Sequence, residues 1–296
     1  MLDIKKLEPY LEMIDNNVCY KCGVPDPLGK KIELTIQLTN KCNCGCTFCS
    51  NSNFPDYQFD KSKFMKIFSM LKNNYPIIKV SFTGGEPTLH PLFTELVGFI
   101  RENLTRALIV VNTNGSNLEK LKEVSQFKGI EYGISRHHYD ETKNAEIFKS
   151  NAPCTNQELS DFADYIGNTD NRILLHCNLV KNQIDNIEEV KKYLDWCKSI
   201  NIDNVGFVEL MPYTQAAKDD KAEVNFLELP KDYFLLTRFA ERKEVCKCIN
   251  FDYKGIRVYN RRMCTSNCRN TPNAPLVYNY NRLSKGFGGD VIWDNV

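Results

Sequence analysis

The sequence of 296 residues has almost no net charge, with 38 basic side chains against 37 acidic ones. A balance this even removes bulk electrostatic attraction as a basis for binding nucleic acid or an anionic membrane. Long apolar runs are also missing, and none approaches the roughly 20 residues that cross a bilayer. The first residues, MLDIKKLEPYLEMIDNN, carry charges throughout and lack the apolar core of a secretory leader, so a cytoplasmic protein is expected. Internal repeats and low-complexity linkers are absent. Hydrophobic residues at 42% and charged residues at 25% exclude a disordered chain or a fibre. The length suits one large domain, or one domain with an appendage.

Cysteine, in contrast, is abundant. The chain has 13, an odd number that argues against a disulfide scaffold in the absence of a leader. Ten lie in tight groups, namely Cys19 and Cys22, then Cys42, Cys44, Cys46 and Cys49, then Cys246 and Cys248, then Cys264 and Cys268. Only Cys154, Cys177 and Cys197 stand alone. Grouped thiols in a reducing compartment point to metal.

From Ile32 the chain alternates short apolar runs with amphipathic stretches. Strands are expected at Ile32–Leu38, Ile77–Phe82, Leu108–Val111, Ile130–Ser135, Arg172–Val180 and Val205–Leu210. Between them, Phe64, Ile67, Phe68 and Leu71 repeat at helical spacing. So do Leu92, Phe93, Leu96, Val97 and Ile100, then Leu118, Leu121 and Val124, and later Ile187, Val190, Leu194 and Cys197. Helical material is expected within Asp140–Gly167, broken at Pro153. Six such units predict an α/β fold, a partial (β/α)6 TIM-like barrel of parallel strands with helices outside. Residues 1–31 read as an N-terminal extension, 32–212 as the barrel, and 213–296 as a separate cysteine-containing C-terminal cap with a helix at Lys231–Arg242. In such a barrel the chemistry belongs to the loops at the C-terminal ends of the strands.

The loop after the first strand holds Cys42, Cys46 and Cys49 in a C-x3-C-x2-C pattern, with Cys44 left over. Three thiolates on one short loop can hold three corners of a cubane iron–sulfur cluster and leave the fourth iron open to a small molecule. Structural zinc is the competing reading, because Cys19-x2-Cys22 and Cys46-x2-Cys49 would make a four-thiolate site in a zinc-stabilised, non-catalytic binding module. After the second strand comes Thr83-Gly84-Gly85-Glu86-Pro87, where two glycines allow close backbone approach to a ligand and a carboxylate can accept from an ammonium group. The third strand ends in Asn112-Thr113-Asn114-Gly115, with short polar groups suited to ribose hydroxyls or to a turn.

The cysteine spacing followed by the GGE loop resembles the radical S-adenosylmethionine (SAM) superfamily, over about Ile32 to Pro212. FTGGEP at 82–87, TNG at 113–115 and FVELMP at 207–212 look most like the branch of molybdenum-cofactor biosynthesis protein A. The resemblance implies a 4Fe–4S cluster on Cys42, Cys46 and Cys49, with the amine and carboxylate of SAM on the open iron. It also implies Phe48 presenting its backbone toward adenine, Gly84, Gly85 and Glu86 at the methionyl end, Thr113 or Asn114 and Ser135 near the ribose, and Met211 against adenine. The implied reaction is reductive cleavage of SAM to a 5′-deoxyadenosyl radical that takes hydrogen from a small-molecule, nucleotide or peptide substrate. A flavodoxin- or ferredoxin-type electron donor follows from that chemistry.

The chain departs from that branch in its substrate region. Thr35, Ser81 and His176 stand where the branch has basic residues for GTP, and Gly288-Gly289 is followed by seven more residues instead of ending the chain. In the loop after the fourth strand, Arg136 is a candidate for binding a carboxylate or phosphate, and His137, His138 and Tyr139 for positioning substrate or passing a proton. The pattern Cys246-x-Cys248-x15-Cys264-x3-Cys268 suits an auxiliary iron–sulfur cluster or zinc.

Overall fold

The structure, a computed structural model, describes residues 32–51, 54–228, 234–238, 249–261, 276–286 and 291–294. Six parallel strands form its centre: β1 (Ile32–Gln37), β2 (Ile77–Thr83), β3 (Leu108–Thr113), β4 (Ile130–Ser135), β5 (Arg172–Leu179) and β6 (Asn204–Glu209), paired in chain order. The helices between them are α1 (Lys61–Asn74), α2 (Phe93–Asn103), α3 (Leu118–Val124), α4 (Glu141–Phe148), α5 (Asn156–Gly167) and α6 (Ile187–Ser199), with a short α7 (Gln215–Asp219) after β6. The sheet does not close, and the architecture is the partial barrel expected from the periodicity.

Alternation along each strand separates two environments. Leu34, Ile36, Val80, Phe82, Ile109, Val111, Ile134, Leu175, Cys177 and Phe207 are fully buried in the core between sheet and helices. Their neighbours Thr35, Ser81, Asn112, Ser135 and His176 therefore face the barrel interior. On α1, Phe64, Ile67, Phe68 and Leu71 are the buried stripe, and Asp60 caps the helix by accepting from the Lys63 amide at 2.9 Å. Pro153 falls between α4 and α5, where Lys149 takes a left-handed φ of 50° and Thr155 with Glu158 forms a capping box for α5.

Beyond β6 the structure differs from the expectation. Phe234–Arg238, inside the stretch expected to be helical, is a strand, β7, antiparallel to β8 (Ile249–Tyr253). Pairing with a distant strand decides this segment over its weak local preference. The described strands of the C-terminal third join the sheet. β9 (Ile256–Arg261) lies parallel to β6, and β8 and β7 follow it outward. At the opposite edge β10 (Leu276–Asn279) lies parallel to β1 and carries β11 (Arg282–Lys285) and β12 (Val291–Asp294). Among the described residues no helix is long and apolar enough to cross a membrane.

Phe64 touches both halves of this arrangement, with its ring centroid 5.6 Å from Phe59 and 5.2 Å from Tyr278 of β10. Phe64→Ala is expected to lower unfolding stability by about 3–5 kcal/mol, read from urea denaturation.

Candidate active site

The cysteine loop leaves β1 at the mouth of the barrel and lies directly against the GGE turn that leaves β2. The Gly85 amide donates to the Thr39 carbonyl at 2.7 Å and the Glu86 amide to the Lys41 carbonyl at 2.8 Å. The two glycines are required by this approach. A Cβ on Gly84 would lie 2.3 Å from the Thr39 oxygen, and one on Gly85 would lie 2.2 Å from the Lys41 oxygen. The GGE motif is therefore the surface on which the entry to Cys42 is laid.

Glu86 is fully buried and its carboxylate is consumed by the protein. Oε1 accepts from the Thr88 amide at 3.1 Å, the Thr88 hydroxyl at 2.6 Å and the Thr113 hydroxyl at 2.8 Å, while Oε2 accepts from the Asn114 amide at 2.7 Å. Burial raises its pKa, and these four hydrogen bonds oppose the rise. The side chain thus ties the exit of β2 to the exit of β3. Thr113 is occupied in the same bracket, and its hydroxyl also receives the Gly115 amide at 3.0 Å. Asn114 reaches back to the cysteine loop, donating to Asn43 Oδ1 at 2.8 Å and Cys44 Sγ at 3.2 Å, with Cys42 Sγ at 3.8 Å.

The four loop thiols are neighbours. A hydrogen bond from Cys44 outweighs burial and lowers the Cys42 thiol to about 7, whereas burial and then the adjacent Cys49 and Cys42 push Cys46 up to about 12. Cys44, as the donor to Cys42, is raised. Cys42 is exposed, and Cys46 and Cys49 are half-buried. Among the described residues no three His, Cys, Asp or Glu side chains converge on a position for one metal ion. Three thiols on one turn are the donor set that an iron–sulfur cube takes, each thiolate binding a separate iron. Cys19, Cys22, Cys246, Cys248, Cys264 and Cys268 lie outside the described residues.

The far side of the cysteine loop docks on the C-terminus of α4. The Gly45 amide donates to the Phe148 carbonyl at 2.8 Å, and the Ser150 hydroxyl donates to the Asn43 carbonyl at 2.7 Å. His137 lies between Phe148, stacked at 4.7 Å, and Phe48, edge-on at 5.5 Å. Its Nδ1 accepts from the Asn178 amide at 3.2 Å. Phe48 also packs on Val180, Leu210 and Ala217, and Met211 and Tyr213 just beyond are exposed.

The loop after β4 does not present a row of catalytic groups to the mouth. Arg136 is buried among α5 and α6, donating to the carbonyls of His138 at 3.1 Å and Cys154 at 2.7 Å and to Asn156 Oδ1, with its guanidinium 5.6 Å from the Trp196 ring. His138 accepts from the Asp140 amide at 2.9 Å, and its buried Nε2 has no partner among the described residues. The Tyr139 hydroxyl donates to Glu189 at 2.8 Å. These side chains fasten the sheet to its helices. The alternation of the strand carries Arg136 outward, an outcome visible in the register of Tyr132 and Ile134.

Residues that motif reading missed brace the loop from outside. Asp56 accepts from the Thr39 hydroxyl at 2.7 Å and the Asn40 amide at 2.9 Å and pairs with Lys41 at 3.4 Å. These interactions outweigh burial and hold its carboxyl at about 2. Asn51 donates to the Gly84 carbonyl at 2.6 Å. An Asp-Tyr pair soon after a cysteine motif carries no signal of its own.

Two measurements follow. Gly85→Ala is expected to displace the loop and abolish iron loading while far-ultraviolet circular dichroism stays that of a folded barrel, since one methyl against a carbonyl cannot be accommodated in place. Burial lowers His137 from 6.5 to about 3 and His138 from 6.5 to about 4. Both stay neutral in the folded chain where the unfolded chain takes up protons, so their contribution is complete above about 6.5 and is lost as pH falls toward 4 and 3. Urea midpoints should drop across that window, and His137→Phe should flatten the drop.

Comparison with known proteins agrees with the geometry. Residues 36–219 match the family model described as the radical SAM superfamily. A GTP 3′,8-cyclase of Chlorobaculum tepidum is 25% identical over 192 residues, covering 64% of this chain and 56% of that one. Another, from Limosilactobacillus fermentum, is 25% identical over 228 residues, covering 75% and 63%. Streptococcus suis SuiB, solved with the precursor peptide SuiA, has a TM-score of 0.55 at 19% identity over 74% of this chain and 53% of its own, a likeness of fold alone. The chain spans less than two thirds of the length of each of these three proteins. A match over more than half of the chain and most of the barrel establishes that this chain belongs to the radical SAM superfamily, whose cofactors are a 4Fe–4S cluster and S-adenosylmethionine.

Proposed function

We propose that the chain is an enzyme that cleaves SAM reductively and abstracts hydrogen from a substrate held in the barrel. The observation that carries this reading is the seating of Thr39–Lys41, the entry to the Cys42–Cys49 loop, on the Gly84–Gly85 turn at the C-terminal mouth of the sheet. Cys42, Cys46 and Cys49 would hold three irons, and the main chain of the glycine turn with Ser135, Phe48 and Met211 would face SAM. Glu86 and Thr113 support those groups from behind, because their side chains are already bonded to the protein. When bound, the cluster and SAM supply one-electron carbon–sulfur cleavage and the hydrogen-abstracting radical. The chain's own residues shape and dry the chamber in which this happens. The reading also calls for a one-electron donor of the flavodoxin or ferredoxin type.

The chamber wall supports a polar, uncharged substrate portion, from a small molecule, a nucleoside or a peptide. Thr35 and Ser81 are buried neighbours in register and make no side-chain hydrogen bond among the described residues. His176 has room because Gly133 and Gly206 flank it; a Cβ on Gly133 would lie 3.2 Å from its Nε2. Lower in the barrel, Lys79 pairs with Glu33 at 3.5 Å and Arg172 with Glu131 at 2.7 Å, which neutralises these cations. A triphosphate would find no counter-charge on that stretch of wall. The zinc-stabilised binding module has no support from the family match.

Anaerobic reconstitution with iron and sulfide, followed by SAM and dithionite, should yield 5′-deoxyadenosine, and Cys46→Ala should give none. Wild-type protein that builds a cluster and leaves SAM intact would overturn the proposal, as would anaerobically purified protein carrying stoichiometric zinc and no iron.

A further inference from the structure

The turn between β10 and β11 lies about 240 residues from the cysteine loop in sequence and against it in space. Its two central residues, Tyr280 and Asn281, have φ values of 47° and 56°, the pattern of a tight two-residue hairpin of the primed type. Asparagine tolerates that conformation, whereas tyrosine is disfavoured there. The corresponding turn between β8 and β9 uses Lys254 and Gly255, with φ values of 52° and 89°, at the other end of the sheet. A bulky side chain held in a left-handed conformation calls for a compensating contact.

The contacts are there. The Tyr280 hydroxyl donates to the Pro55 carbonyl at 3.0 Å and accepts from the Asn40 side chain, and the ring packs on Tyr57 at 4.6 Å. Asn281 accepts from the Asp60 amide at 2.8 Å and donates to the Gln58 carbonyl at 2.9 Å. Asn279 donates to Gln37 at 3.3 Å, and Tyr57 donates to the Gln37 carbonyl. Together they fix the strand of chain from Pro55 to Asp60. Asp56 in that strand holds Thr39, Asn40 and Lys41, and the glycine turn holds Thr39 and Lys41 from the opposite side.

We infer that Tyr280 and Asn281 are positioning residues for the cysteine loop, so that its order and its grip on a cluster depend on the C-terminal hairpin. The part concerning the cluster rests on the function proposed above; the part concerning loop order does not. The decisive variant is Tyr280→Asn, which suits the turn better than tyrosine and removes every contact its side chain makes to Asn40, Pro55 and Tyr57.

The variant should keep or raise the melting temperature. In metal-free protein, deuterium uptake by amides of residues 39–49 should rise about tenfold, the change expected when hydrogen bonds of ordinary strength are lost locally. In the reconstituted protein, iron loss to an anaerobic chelator should quicken by a similar factor, and Lys254→Asn in the other hairpin should change neither rate. A folded Tyr280→Asn protein that exchanges at wild-type rates would overturn the inference. If that variant does not fold, Asn281→Gly, which also suits the turn, reads the same two rates with the same outcomes. Quickened exchange with unchanged iron loss would confine the role to the metal-free loop and overturn its extension to the cluster.

Discussion

Two carbonyl groups, those of Thr39 and Lys41, receive the amides of Gly85 and Glu86, and this short contact governs the rest of the site. It brings the exits of β1 and β2 so close that neither glycine position has space for a side chain. The cysteine loop then has one path open to it. Asn114 and α4 meet it where that path leads, and the segment from Pro55 to Asp60 closes over its entry. A flexible loop rich in thiols would be prone to oxidation and to mismatched ligands; a loop held on three sides restricts where its thiols can go.

Buried ionisable groups in this barrel serve order before chemistry. Burying the Glu86 carboxyl without partners would cost several kcal/mol, and four hydrogen bonds offset that cost while joining the exits of β2 and β3. His137 and His138 are kept neutral by burial, each with its Nδ1 accepting from an amide. Arg136 turns outward to satisfy the carbonyl of His138 ahead of α4 and that of Cys154 in the break between α4 and α5. Toward the C-terminal mouth the interior wall carries the short polar groups Thr35, Ser81, Asn112 and Ser135 with His176, while the charged groups lower in the barrel are paired with one another.

Much of the barrel was legible from periodicity. The six parallel strands were visible because strands buried on both faces give apolar runs, and the helices because their stripes repeat every third or fourth residue. The cysteine and glycine motifs marked the mouth by chemistry and order. The roles of Glu86 and of the Arg136–Tyr139 loop were not legible. Whether a polar side chain faces a ligand or a backbone amide depends on where neighbouring strands end, and Glu86 meets Thr113 and Asn114 only after β3 has paired with β2.

The sequence by itself determined the fold class and the family, and marked the thiol loop at which the proposed chemistry would sit, because local spacing and residue type suffice for each. The tertiary structure alone decided that β9 and β10 extend the two edges of the barrel, that a turn at Tyr280 and Asn281 reaches the cysteine loop, and which polar groups remain toward the interior. Those features arise from pairing between segments as much as 240 residues apart, and no local pattern encodes a partner at that distance.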